Sequence, residues 1–591
     1  MQKSRPRHGK TLTHGQFEAR ETVHVCGSGC RHPSGVRATR RARVLEEDLV
    51  PGRSVGYDVL VWVGTERYLA HRQREEIRSA LWAEHGISLS AGEVSRLAVL
   101  FLTYLQALHG AHEEELRSAL RAEGGYPLHV DATGEDGRGT LLVAFAGWRR
   151  WVLGAWKLPT ERADAIAPCL REVVARFGAP CAVVRDLGRA VTRAVEELVE
   201  TEGLRIPVLG CHQHFLKDIG KDLLEASHAG LRGGFRSLKV RPGLRALARD
   251  LGRKLGDSVE RARQDVRGWM EGDGQAQSLP KGRAGIAAVR ALAQWVLDYP
   301  TDATGEDFPF DRPYLDLMNR CVLALGAAQG FLAEAPAEPA VLKALRRLER
   351  ILAPVGCDVP LAPLARRLID RAALFDELRE ALRLVPAGSP KGKAGKRPRE
   401  VATAPGELQD IRPTVEDLTS RLKVRRLACA AGSDTREAID LILRHLHKHG
   451  HCLWGHEIEL PAEVGGGTRF VERTNNDLEG FFRDVKHDER RRSGRKVLTQ
   501  DFEHLPPAAA LARNLRHDDY VALLCGSLEN LPSAFAQLDA KARREKLAGE
   551  PTPPSGLARS PALASASLPR ADKRLVRSDK MRQRILAAAR R

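Results

Sequence analysis

Residues 127–146 read PLHVDATGEDGRGTLLVAFA, residues 151–158 read WVLGAWKL and residues 181–186 read CAVVRD. Each holds a short run of Val, Leu, Ala or aromatic residues bounded by Gly, Pro or charged positions, the pattern of half-buried or buried β-strands. The expected order is three strands (Pro127 to Ala132, Thr140 to Ala146, Trp151 to Leu158), a helix over Ala163 to Phe177 and a strand at Cys181 to Arg185. A helix from Gly188 and a short strand at Ile206 to Gly210 follow. Short links join the first three strands as a meander, and strands that alternate with helices pair in parallel. The predicted fold class is α/β: a mixed sheet flanked by helices.

Two of these strands end in a carboxylate, Asp131 after Leu-His-Val and Asp186 after Ala-Val-Val-Arg. The carboxyl ends of sheet strands are where open α/β sheets bind ligands, and two carboxylates there form a hard-oxygen pocket suited to Mg²⁺. Without a cation the pair is costly, because like charges raise one another's pKa. Read singly, each Asp could also simply start a turn.

On the N-terminal side, helical spacing runs from Arg72 to Leu108 with a break at Gly86-Ile-Ser88, a helix-turn-helix pattern within a helical region spanning 46–125. Ser90 followed by Glu93 reads as a capping box, which sets Ser95 and Arg96 early on the second helix, where a recognition helix meets DNA; an ordinary helical hairpin is the plainer alternative. Residues 1–45 are basic and rich in turn formers. They include Cys26-Gly-Ser-Gly-Cys30, half of a zinc site, since a structural zinc wants four ligands and only nearby histidines remain to complete it.

On the C-terminal side, residues 221–465 are nearly all helical in pattern, with apolar periodicity at Leu244–Leu255, Ile286–Val296, Leu315–Leu332, Val341–Leu352 and Leu364–Leu384. A Lys-, Gly- and Pro-rich stretch at 386–405 reads as a mobile loop, and 550–591 as a basic flexible tail. The formal charge of +18 favours a polyanionic partner, with nucleic acid ahead of membrane because no apolar run of spanning length is present. No apolar segment follows the basic start, and the cysteines are sparse, so a cytoplasmic, nucleoid-associated location is expected.

A third segment, Arg473-Thr-Asn-Asn-Asp-Leu-Glu479-Gly-Phe-Phe-Arg483, and Cys211-His-Gln-His214 after the fifth strand complete a recognisable set. With Asp131 and Asp186, the chain resembles the DDE transposases of the mutator-like group and related bacterial insertion sequences over roughly 128–496, the helical block apart. The resemblance implies a ribonuclease-H-like core interrupted by an all-α insertion, with 126–220 and 466–549 as its two parts. It also implies that Asp131, Asp186 and Glu479 hold two Mg²⁺ ions (Mn²⁺ as substitute) that cut and rejoin DNA, Asp131 bridging both, with Cys211 and His214 as supporting elements. A capping role for Glu479, with Asn476 as the N-cap, is the local alternative.

Basic residues on and after the same helix, Arg483, Lys486, Arg490, Arg491, Arg492, Arg495 and Lys496, are expected to meet backbone phosphates. The function expected is metal-dependent cleavage and strand transfer at the inverted-repeat ends of an insertion sequence, by a homodimer or larger assembly on double-stranded DNA. An inactive, domesticated DNA-binding derivative and a host nuclease with the same core are the alternatives.

Overall fold

The computed structural model describes residues 2–548 except 136–137, 254, 256–258, 272–278, 302–306, 335, 337, 358–360 and 385–406. The expected loop at 386–405 and the tail at 550–591 lie outside the described residues. The chain divides into two units, one of residues 1–208, 460–467 and from 475 on, the other of residues 209–459 and 468–474.

The first unit opens with a sheet of three strands, β1 (Gln2–Thr11), β2 (Gly15–Val25) and β3 (Thr39–Arg40), in which β2 pairs antiparallel with both neighbours. Residues 1–45, basic and turn-rich in sequence, thus carry a long hairpin. Helices Tyr57–Tyr68, Arg74–His85, Ala91–Ala111 and Glu113–Arg121 follow. The break between the second and third is a left-handed Gly86 (φ 64°), and Ser90 caps the third by accepting from the Glu93 amide at 3.1 Å. These helices share one buried core with the larger sheet: Leu97, Phe101 and Leu105 belong to the same cluster as Val130, Val143 and Phe535.

That sheet holds β4 (Pro127–Glu135), β5 (Arg138–Ala146), β6 (Trp151–Leu158), β7 (Ala182–Arg185) and β8 (Val208–Gly210) in the order β6-β5-β4-β7-β8. β4, β5 and β6 form an antiparallel meander, and β7 joins β4 in parallel, Pro127 facing Ala182 and Val130 facing Arg185. All four residues of β7 are buried, as expected for a strand covered on both faces. The architecture is a mixed sheet flanked by helices. Helices Ala163–Phe177 and Arg189–Thr201 connect β6, β7 and β8, and the Arg185 guanidinium donates to Thr192 Oγ1 of the second of them at 2.7 Å.

The second unit is a helical block, including His212–Ser237, Gly282–Leu297, Pro313–Ala333, Leu361–Ala381 and Asp434–His449, with a short antiparallel pair, Glu457–Glu459 and Thr468–Phe470. Its buried charge is matched: Arg371, only 8% exposed, meets Asp434 at 2.6 Å and the Leu223 carbonyl at 3.1 Å. Among the described residues no helix is long and apolar enough to cross a membrane.

Candidate active site

The parallel register of β4 and β7 fixes the first two acids. Val130–Arg185 is the last pair; Asp186 is the residue just past the end of β7, whereas Asp131 does not end its strand as expected but follows Val130 within β4, which runs on to Glu135 by pairing with β5, so the two half-buried residues adjoin where β7 leaves the sheet. Side chains alternate along a strand, so Asp131 shares a face with His129, two positions back, opposite the face that carries Val130 and Arg185. Asp186 also closes a turn on itself: its Oδ1 accepts from the Gly188 amide at 3.2 Å. The turn-starting role and the edge position therefore coexist in one residue.

The third acid comes from the helix Asn476–Ser493. Asn475, fully buried, precedes it and makes two bonds that matter here: its Oδ1 accepts from His129 Nδ1 at 2.9 Å, and its carbonyl accepts from the Glu479 amide at 2.7 Å. Burial holds the His129 imidazole below its usual pKa, so it is neutral and Nδ1 carries the proton that Asn475 receives. In the middle of the same helix, Lys486 Nζ donates to the Gly134 carbonyl of β4 at 3.0 Å.

These two ties set the helix along the strand. From Asn475 to Lys486 is 11 residues (486 − 475), about 16 Å of helix at ~1.5 Å each; from His129 to Gly134 is five (134 − 129), about 16 Å of strand at ~3.3 Å each. Glu479 lies about 6 Å along the helix from the first tie, and Asp131 about 7 Å along the strand from it. By these ideal rises Glu479 falls about level with Asp131 along β4, on a helix tied to His129 of that strand. The local alternative of side-chain capping is corrected: the helix begins at Asn476, Asn475 is the N-cap residue, and it makes no side-chain cap bond.

Two further residues escaped the sequence reading. His129 did so because a lone His inside a strand carries no signal of its partner 346 positions away. Glu161, just past β6, senses the acid pair: burial first and the Asp186 charge second hold its carboxyl above the usual range. Among the described residues no group of three or more His, Cys, Asp or Glu is arranged to hold a metal ion, so the three acids do not form a ready-made ion cage.

In the second unit Cys211 is buried at the start of the helix His212–Ser237 and His214 is half-buried. The neighbouring His212 links the two motif segments: its amide donates to the Arg473 carbonyl at 2.9 Å, its Nε2 donates to the Leu453 carbonyl at 2.8 Å, and the Arg473 guanidinium approaches its Nδ1 at 3.4 Å. Burial, with Arg473 adding to it, pushes His212 down to about 3.

The expected phosphate contacts divide. Arg483, Arg490 and Lys496 are exposed, as is Arg96 on the Ala91–Ala111 helix, whose Ser95 hydroxyl bonds back to the Ala91 carbonyl at 3.2 Å. Arg491 meets Glu76 at 3.0 Å and Arg495 meets Gln500 at 3.2 Å, both at the surface. Lys486 is engaged with Gly134 as described. Arg492 is a correction: its side chain is buried, paired with Glu489 and laid 5.1 Å from the Tyr68 ring centroid, so it faces the core and not a phosphate. The helical turn sends Arg491 and Arg492 in directions ~100° apart, which a run of three arginines conceals.

Cys26 is half-buried and Cys30 exposed, their turn pinned by Ala38, which accepts from the Cys26 amide at 3.2 Å and donates to the Cys30 carbonyl at 2.8 Å. Among the described residues no third ligand joins them. No family model matches this chain, and no curated protein matches it.

Proposed function

We propose that the chain is a DNA transposase with a ribonuclease-H-like core, cutting and rejoining DNA at Asp131, Asp186 and Glu479. The observation that carries the reading is the parallel register that sets Asp131 beside Asp186, with the Asn475–His129 bond bringing the Glu479 helix to the same strand. The meander followed by a parallel fourth strand, in the order β6-β5-β4-β7-β8, supports that core.

The donor set suits divalent magnesium. All three side chains offer carboxylate oxygen, the hard ligand that Mg²⁺ prefers, and two neighbouring acids without a cation would repel. When bound, two such ions would activate the attacking oxygen and stabilise the leaving one. The chain's own contribution is positioning: β4 and β7 hold two acids at a fixed separation, and the helix holds the third level with them. Exposed Arg483, Arg490 and Lys496 on or after that helix would hold the phosphate backbone, contacts that orient DNA without reading its sequence. Arg96 and Ser95 would meet the terminal repeats, and joining two ends calls for at least a dimer on DNA.

The test is cleavage and strand joining of duplexes that end in the repeats flanking the gene, with Mg²⁺ and then with Ca²⁺. Both activities in Mg²⁺, lost in Asp186→Asn, support the reading. Cutting without joining would point to a nuclease, and tight binding without cutting to a domesticated DNA-binding protein.

A further inference from the structure

Three residues separate the third acid from the residue that ties its helix to the sheet, and that residue meets a histidine and not a carboxylate. His129 is 3% exposed and Asn475 is fully buried, so their 2.9 Å bond is made away from water, where a lost partner is expensive. The ring has no room to swing. A Cβ placed on Gly147 would sit 2.5 Å from His129 Nε2 and 3.1 Å from Pro127 Cγ, so the backbone of Gly147 walls one side of the imidazole. Asn475 passes the constraint on through its carbonyl, which receives the Glu479 amide at 2.7 Å.

We infer that His129 and Asn475 are a positioning pair that sets where Glu479 stands along β4, and so governs the affinity of the acidic site for its divalent cation. Neither residue touches the ion or the DNA. His129 acts through Asn475, and Asn475 through the first turn of the helix. The Lys486–Gly134 bond holds the middle of that helix, so loss of the near tie lets its first turn shift relative to that point and carry Glu479 away from Asp131. The inference rests on the reading of the three acids as an ion site.

The experiment titrates Mn²⁺ alone into the full-length protein by electron paramagnetic resonance, and measures kcat and KM for cleavage of a repeat-end duplex. The variants are His129→Leu, which removes the donor; His129→Asn, whose amide nitrogen falls close to the position of Nδ1; and His129→Gln, whose nitrogen falls nearer Nε2. Leu and Gln are expected to raise the Mn²⁺ half-saturation and lower kcat by about tenfold or more, as loss of an outer-shell partner does elsewhere. KM for DNA should stay within about twofold, because the lost interaction does not bind substrate. Asn is expected to restore both quantities to within about threefold of wild type.

Leu and Gln titrating like wild type, or Asn as poor as Gln, would overturn the positioning role; if Leu does not fold, Asn against Gln decides alone. Asp131→Asn is the reference that separates the two levels of the argument. If wild type takes up Mn²⁺ no better than Asp131→Asn, the ion-site reading fails and this inference with it. If wild type exceeds Asp131→Asn and the His129 variants do not differ from wild type, only the positioning role is lost.

Discussion

Asp131 and Asp186 each directly follow Val130 and Arg185, the last residues paired between two adjacent parallel strands. Neutralising either should remove cleavage while relieving repulsion between neighbours. Asp131→Asn and Asp186→Asn are each expected to lower the cleavage rate by at least about a thousandfold, ~4 kcal/mol of transition-state stabilisation, with the melting temperature unchanged or slightly raised. Gel-based cleavage assays and thermal melts on the same preparations check both halves, and unimpaired cutting by either variant would refute the assignment.

Gly147 is a packing control for the His129 wall. Gly147→Ala drives a methyl into the imidazole and Pro127 and should cost about 1–3 kcal/mol, the usual range for overpacking. Gly233, inside the helix His212–Ser237 with nothing within 4 Å of an added Cβ, makes the contrast. Gly233→Ala should stabilise by about 0.5–1 kcal/mol through helix propensity. Urea midpoints give both values.

The arginines at the end of the Glu479 helix separate by burial. Arg492→Ala leaves Glu489 buried without its cation and is expected to destabilise by about 3–5 kcal/mol. Arg490→Ala and Lys496→Ala should leave stability unchanged, weaken binding to every duplex alike and reduce the slope of log affinity against log salt by about one each. Equal effects of all three on DNA binding would contradict the division.

Acid sensitivity follows from two buried imidazoles. His109 donates from Nε2 to the Leu153 carbonyl at 3.2 Å and accepts at Nδ1 from the Tyr520 hydroxyl at 2.7 Å, and burial pushes it down to about 3, as it does His212. The unfolded chain titrates near ~6.5, so between that value and about 3 the unfolded state binds more protons. Their contribution to stability is complete above about pH 6.5 and is lost as pH falls through that window. Denaturant midpoints at a series of pH values should fall below pH 6.5, and His109→Gln should flatten the fall; a midpoint constant down to pH 4 would count against it.

The strands of the larger sheet were legible because their apolar runs are short and punctuated, and the boundaries read from Trp151 to Leu158 and Ala163 to Phe177 coincide with the elements found. The helix Tyr57–Tyr68 falls inside the helical region expected over 46–125, but its own bounds were not legible, because Tyr57, Val59, Leu60, Val61 and Val63 are all buried and leave little polar stripe to give a helical period. The hairpin of β1 and β2 hid for the opposite reason: most of its residues are half-exposed and polar, so the alternation of strands had few apolar markers. Near the proposed site, Asp186 does follow a strand ending, whereas Asp131 lies inside β4, which runs on to Glu135, and Glu479 was singled out by its motif alone. The His129–Asn475 bond could not be read at all, since pairing across 346 residues is a property of the folded chain and leaves no local trace.

The order in which a ribosome makes this polymer gives the split site a temporal meaning. Asp131 and Asp186 emerge early and close together, but Glu479 arrives 348 residues after Asp131 (479 − 131), once the whole helical block has been synthesised. A nascent chain therefore holds only two of the three acids until the helical block has been made, and the cleavage proposed for them would wait on that stage of synthesis.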